Sequence, residues 1–180
     1  NVIDFLLKMK MEKKFLEHVM TSGEAAMYAI NQKRFGKTFF HLGPERDISV
    51  FEKVKDNRTD LNSCDFILCT GLFDDYDNDL DYYKKFLVKH ISKKLICTNP
   101  DLIVHRGNME ELCAGSVAKV FEDLGGEVIY FGKPHKEVYN MCLGSDEKVL
   151  AIGDNLRTDI KGANNLKIDC IFITDGVHRK

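Results

Sequence analysis

The spacing of apolar positions along the chain predicts strands and helices in alternation. Short apolar runs, many of them β-branched or aromatic, are typical of buried strands, and the main ones lie at 37–42, 66–70, 95–98, 128–131, 149–153 and 169–173. Between them, apolar residues recur at helical spacing, chiefly at 2–10, 25–33, 80–91, 110–124 and 136–143. This alternation predicts an α/β fold with a parallel sheet and right-handed crossovers.

Local signals refine some of these boundaries. Thr21 with Glu24 three residues later matches a capping box, which predicts that a helix begins there. We expect residues 102–105 to be extended, a short helix near 46–54, and another from Thr158 to about residue 164.

Two carboxylates follow the strand at 149–153. Gly153 allows a sharp turn, and Asp154, Asn155 and Asp159 come directly after it. In open α/β sheets ligands bind outside the carboxyl ends of the strands, so the carboxylates of Asp154 and Asp159 are candidates for holding a hard divalent cation beside a phosphate. The alternative is that Asp154 and Asn155 only cap the next helix.

A lysine follows the preceding strand. Lys133 stands in the turn Gly132-Lys133-Pro134, and if the strands at 128–131 and 149–153 are neighbours, both turns lie at one edge of the sheet. A fixed ammonium group beside metal-binding carboxylates suits phosphoryl transfer, because it neutralises charge that develops on oxygen. Alone, Lys133 would be interpreted as a solvated turn residue.

Composition excludes several classes of function. Twenty-six basic and twenty-eight acidic residues give a formal charge of -2 with no basic stripe, so we expect no nucleic-acid partner. No apolar run approaches the roughly 20 residues that span a bilayer, so we expect no membrane segment. The six cysteines show no CxxC or zinc-type spacing, which indicates core thiols in a reducing cytoplasm.

The sequence argues against two further interpretations, a calcium-binding loop and a dinucleotide-binding fold. The acidic run at 74–81 has aspartates at alternate positions like a calcium loop, but Leu80 stands where glycine is needed and Phe86 where the bidentate glutamate is needed. We interpret it as a solvated loop before a helix. A dinucleotide-binding fold is disfavoured, because no GxGxxG follows any strand.

Two segments together resemble a known family. Residues 130–134 (YFGKP) and 153–160 (GDNLRTDI) resemble the third and fourth motifs of the haloacid dehalogenase (HAD) superfamily, and are most similar to those of the subfamily IIA phosphatases. Residues 21–24 (TSGE) and 97–101 (CTNPD) resemble that subfamily's cap-entry turn and cap loop. The resemblance therefore extends over nearly the whole chain.

The resemblance implies a partial Rossmann-like HAD core with a large inserted α/β cap. On this mapping residues 1–20 and 128–180 belong to the core and 21–127 to the cap. The function implied is a Mg²⁺-dependent phosphatase acting on a small phosphorylated metabolite in the cytoplasm, and the resemblance allows a homodimer through the cap. The residue roles implied are catalytic for Lys133, metal-binding for Asp154 and Asp159, and substrate-binding for Asn99, Asp101 and Asn155.

The chain departs from the family pattern in two places. Residues 113–116 (CAGS) stand where the family has Pro-Gly-Ala-Gly, and no strand carries the family's aspartate nucleophile. We therefore expect the chain to be a fragment whose first two motifs lie upstream, inactive as it stands. The alternative is a non-catalytic HAD-like module that binds a phosphorylated metabolite or a partner.

Overall fold

A computed structural model describes residues 2–17, 19–106, 109–144 and 148–176. Within these ranges the α-helices are α1 Val2–Lys8, α2 Ser22–Asn31, α3 Leu80–Leu87, α4 Ala114–Asp123, α5 Lys136–Cys142 and α6 Lys161–Leu166. The strands are β1 Phe39–Leu42, β2 Phe66–Cys69, β3 Lys94–Cys97, β4 Ile103–Arg106, β5 Met109–Leu112, β6 Glu127–Tyr130, β7 Leu150–Gly153 and β8 Asp169–Phe172. Among the helices of the described residues, none has the length and apolarity that a transmembrane span requires.

The main sheet is parallel and has the strand order β1-β2-β3-β6. All four residues of β2 are buried, because helices cover both faces. Phe66 and Leu68 pack with α2 on one face, and Ile67 and Cys69 pack with α3 and α4 on the other. Full burial on both faces explains why these strands appear in the sequence as continuous apolar runs, and it confirms the predicted α/β class with a parallel sheet.

A second, two-stranded parallel sheet pairs β7 with β8. Its apolar side chains are much more exposed than those of the main sheet. Leu150 is 53% exposed, Ile152 65% and Ile171 46%. Within the described part of the chain, this small sheet therefore has apolar surface that no other element covers.

The expected neighbour relation between the strands before Lys133 and Asp154 is wrong. β6 pairs with β3 in the main sheet, where Lys94 lies opposite Glu127 and forms an ion pair with it at 3.0 Å. β7 pairs with β8 instead. Apolar periodicity identifies a strand but contains no information about its partner, which explains the error.

Several predicted helix boundaries also need correction. The helix expected at 110–124 begins only at Ala114, because 109–112 form β5, which pairs antiparallel with β4. Glu110 and Glu111 have good helix propensity, and strand pairing overrides it. The helix expected near 46–54 is two 3₁₀ helices, Glu45–Val50 and Glu52–Asn57. The helix expected after Thr158 is preceded by a π-helical turn, Leu156–Ile160.

The capping box at the start of α2 is confirmed. The backbone N–H of Glu24 donates to Thr21 Oγ1 at 3.1 Å, and the Glu24 carboxylate accepts from the Thr21 N–H at 3.0 Å. Asp79 caps α3 in the same manner, accepting from the Tyr82 N–H at 2.9 Å. Each cap satisfies a backbone donor that the first helical turn leaves without a partner.

A buried histidine lies near the end of β1. His41 is 1% exposed, its Nε2 lies 2.9 Å from Thr70 Oγ1, and its Nδ1 makes no hydrogen bond. Its ring centroid lies 4.5 Å from that of Phe51. Burial, reinforced by the positive charge of Arg58, lowers the pKa of His41 from 6.5 to about 4.

We predict an acid-dependent loss of stability through His41. In the unfolded chain His41 takes up a proton near pH 6.5, and in the folded chain only near pH 4. The contribution of neutral His41 to the free energy of unfolding is therefore complete above pH 6.5 and is lost as the pH falls to 4. Urea unfolding measures this loss. Between pH 7 and pH 4.5, the free energy of unfolding should fall by on the order of 2 kcal/mol more in the wild type than in His41→Phe. The control His90→Gln should behave like the wild type, and equal losses in wild type and His41→Phe would contradict the assignment.

Candidate active site

All six residues singled out from the sequence line one cavity. It has a volume of about 550 Å³ and lies where loops from the main sheet meet the turn after β7. The six are Asn99, Asp101, Lys133, Asp154, Asn155 and Asp159. The two sheets therefore bring the loops together although β6 and β7 do not pair.

The ion pair between Lys133 and Asp159 joins the two sides of the cavity. Lys133 Nζ lies 2.5 Å from Asp159 Oδ1, and the second carboxylate oxygen accepts from the Asn155 N–H at 3.1 Å. The Asp159 side chain is only 9% exposed, whereas that of Lys133 is 54% exposed. Both Asp159 oxygens are thus engaged, while the lysine ammonium keeps part of its surface open to the cavity.

Asp154 lies at the end of β7, beside Asp159. A Cβ added to Gly153 would come within 2.3 Å of the Asp159 carboxyl carbon, and one added to Gly176 would come 2.2 Å from Asp154 Oδ2. These glycines therefore allow backbone to approach the carboxylates closely. Asn155 Oδ1 accepts from the Arg157 N–H at 2.9 Å, so Asn155 also caps the π-helical turn that carries Asp159.

The loop at 99–101 is fixed against the start of α4. Asn99 Oδ1 accepts from the Asp101 N–H at 3.2 Å, and Asp101 O accepts from the Gly115 N–H at 3.1 Å. A Cβ on Gly115 would lie 2.3 Å from Pro100 O, so only glycine allows this approach. Ser116 Oγ donates to Leu102 O at 2.6 Å. The sequence CAGS at 113–116, a departure from the family pattern, thus supports the loop that carries Asn99 and Asp101.

Comparison with known proteins identifies several to which this chain is similar. The family described as "HAD-hyrolase-like" matches residues 130–180. The ribonucleotide monophosphatase NagD of Escherichia coli K12 is 27% identical over 150 residues, which are 81% of this chain and 58% of NagD. A crystal structure of a haloacid dehalogenase-like hydrolase from Brucella suis 1330 superposes with a TM-score of 0.77 at 34% identity, covering 89% of this chain and 65% of that one. In sequence and in fold, the chain resembles the HAD superfamily.

A further solved structure supports the subfamily. The 4-nitrophenylphosphatase of Thermotoga maritima matches with a TM-score of 0.65 at 28% identity, over 86% of this chain and 60% of that chain. Together with NagD, it confirms the resemblance to HAD subfamily IIA, which includes phosphatases. The chain spans less than two thirds of the length of these relatives.

The oxygen donors of this cavity fit part of a magnesium site. Mg²⁺ commonly takes one or two protein carboxylates and keeps several waters. Asp154 and Asp159 supply two, although no group of three or more His, Cys, Asp or Glu side chains in the described ranges is arranged to hold a metal. Lys133 and the Asn155 N–H engage both oxygens of Asp159, which suits Asp159 to a supporting position in such a site.

Some residues that line the cavity were not expected. They are Met20 from the segment before α2, Ser22 at the start of α2, Val138, Tyr139 and Cys142 from α5, and Thr158, besides Pro100 and Gly132. Thr158 stands inside the motif-like segment 153–160, and Ser22 inside the capping box, so both were close to recognised signals. Burial raises the pKa of Tyr139, so its hydroxyl stays protonated and available as a donor.

We predict that Gly132 is required for the position of Lys133. It has φ 125°, and an added Cβ would lie 2.6 Å from Pro100 Cδ and 3.1 Å from Ser22 Cβ. Gly125 is a matched control, with φ 92° and nothing within 4 Å of an added Cβ. In urea unfolding, Gly125→Ala should lower the free energy of unfolding by about 1 kcal/mol because of backbone strain. Gly132→Ala should lower it by about 2 kcal/mol more because of the clash. Equal losses in the two variants would mean that the contact with Pro100 relaxes easily.

Proposed function

We propose that this cavity is the phosphate-binding part of the active site of a Mg²⁺-dependent phosphatase that acts on a small phosphate ester. The observation that carries the proposal is the Lys133–Asp159 pair beside Asp154 in a cavity of about 550 Å³. A half-exposed ammonium group and two carboxylates at one cavity wall supply the charges that a phosphate and its metal ion require.

Lys133 binds and orients the phosphoryl group on this proposal. Its contact with Asp159 fixes the ammonium group, so little reorganisation is needed when charge develops on the phosphoryl oxygens. Asp154, with support from Asp159, would hold Mg²⁺. The bound ion supplies charge neutralisation at the phosphoryl oxygens.

The carboxylate that attacks phosphorus is supplied, we propose, from outside the 180 residues. Besides Asp154 and Asp159, the described carboxylate at the cavity is Asp101, on the opposite loop. A covalent route also needs an aligned nucleophile and an acid for the leaving group. The relatives are longer than this chain, and the uncovered apolar side chains Leu150, Ile152 and Ile171 offer a surface on which further strands could pack.

The main sheet would act as the cap. Because β6 pairs with β3, the cap would continue through Tyr130 rather than end at residue 127. A homodimer through the cap and a cytoplasmic location remain parts of the proposal. The free thiols of the described cysteines are compatible with a reducing compartment, and burial raises the pKa of Cys97 to about 12.

A non-catalytic module that binds a phosphorylated metabolite is the second candidate. In its favour, both oxygens of Asp159, the carboxylate in contact with Lys133, are already engaged. In that arrangement the cavity would bind a phosphate without attacking it.

The phosphatase proposal predicts turnover that depends on Asp154. A chain extended to the length of its relatives should hydrolyse p-nitrophenyl phosphate with Mg²⁺, and Asp154→Asn should lower kcat/KM at least about 100-fold, because the metal loses a charged ligand. The 180-residue chain alone should show no turnover. The control Asp81→Asn, on α3 and outside the cavity, should retain activity.

Three results would count against the proposal. Unchanged kinetics in Asp154→Asn would remove Asp154 from the site. Robust hydrolysis by the 180-residue chain, lost in Asp154→Asn, would mean that the nucleophile lies within these residues. Phosphate binding without turnover in the extended chain would favour the non-catalytic module.

A further inference from the structure

A second cavity adjoins the first. It has a volume of about 880 Å³ and shares four wall residues with the phosphate cavity, namely Pro100, Asp101, Asn155 and Thr158. A ligand whose phosphate contacts Lys133 can therefore extend past the loop at 99–101 into this second space. For a phosphate ester, the part that extends is the leaving group.

The wall of the second cavity is predominantly basic. Five of its residues are cationic or titrate to cations, and two are acidic. The basic ones are Lys119, His135, Lys136, Arg157 and Lys161, and the acidic ones are Asp101 and Glu122. An excess of positive charge in a concave space concentrates anions there.

Three of these cations have no anionic partner in the described part of the chain. Lys119 forms an ion pair with Asp123, whereas no ion pair of Lys136, Arg157 or Lys161 occurs among the described residues. Surface lysines are usually hydrated or paired with a carboxylate. Three cations without an ion-pair partner around one cavity repel each other. A bound anion would relieve this repulsion.

The three cations come from α5, the π-helical turn and α6, which all contribute to the wall of the second cavity. Lys136 is the first residue of α5, and Arg157 and Lys161 lie four residues apart on the π-helical turn and α6. Asn155 fixes the start of that turn through its hydrogen bond to the Arg157 N–H. The turn thus links the metal-binding side of the first cavity to the basic wall of the second.

An aromatic pair forms another part of the wall. The rings of Tyr130 and His135 are stacked, with centroids 4.6 Å apart and planes 13° from parallel. Burial, and then the positive charge of Lys161, lower the pKa of His135, so this ring is neutral near pH 7. The cationic character of the cavity at that pH therefore comes from the lysines and Arg157.

We propose that the second cavity binds an anionic group on the leaving-group side of the substrate, a carboxylate or a second phosphate, through Arg157 with Lys161 and Lys136. The inference rests on the proposed phosphatase function and names its substrate class: phosphate esters with two separated negative charges. Arg157 is the specificity-determining residue, because a guanidinium group binds planar carboxylates and phosphates through two parallel hydrogen bonds.

A matched pair of esters tests the proposal on the chain extended to the length of its relatives. Phenyl phosphate and 4-carboxyphenyl phosphate differ only by one carboxylate. We expect kcat/KM to be about tenfold higher for the carboxylated ester, the scale of one charge-assisted contact. Arg157→Gln and Lys161→Gln should each reduce this preference about threefold or more, whereas Lys84→Gln, on the exposed face of α3, should preserve it.

Binding of non-hydrolysable analogues separates this inference from the proposed function. Calorimetry with phenylphosphonate and 4-carboxyphenylphosphonate measures the preference even if neither ester is turned over. If the wild type binds 4-carboxyphenylphosphonate more tightly than phenylphosphonate and Arg157→Gln does not, the basic subsite is supported, whether or not the protein hydrolyses either ester. Equal affinity for the two phosphonates, or equal weakening of both in Arg157→Gln, overturns it.

Discussion

The contact between Lys133 and Asp159 holds the candidate site together. Lys133 follows the last strand of the main sheet and Asp159 lies in the π-helical turn after β7, so one ion pair joins segments that belong to different sheets. Asp159 is nearly buried, and removal of its cationic partner would leave a carboxylate with poor solvation. The pair therefore stabilises the loop arrangement and fixes the ammonium group that faces the cavity.

Close backbone approaches make this contact geometrically possible. Gly132 brings the Lys133 turn against Pro100, Gly115 brings α4 against the same loop, and Gly153 leaves space for Asp159. Each position would clash if it carried a Cβ. Three loops from distant parts of the sequence thus meet around one cavity, and Lys133, Asp154 and Asp101 contribute charges to its wall.

Sequence reasoning predicted the fold class correctly and selected residues that share one cavity, but it did not predict the connections between strands. The motif-like segments 97–101, 130–134 and 153–160 contain the six residues that line one cavity, because polar residues at strand ends are constrained by chemistry that appears locally in the sequence. The partner of β6 was wrong and β5 was missed, since pairing depends on tertiary packing. Gly115 and the basic wall near Arg157 depend on contacts between distant segments, which a single sequence does not contain.

The central claim is that Lys133 binds phosphate in this cavity, and inorganic phosphate tests it most directly. Calorimetric titration of the 180-residue chain in the presence of Mg²⁺ should show saturable phosphate binding that weakens about tenfold or more in Lys133→Met, the effect of losing one charge-assisted hydrogen bond. Lys84→Met, a substitution of the same type on exposed α3, should bind like the wild type. Thermal unfolding verifies that each variant is folded. Phosphate affinity that is unchanged in folded Lys133→Met would contradict the account.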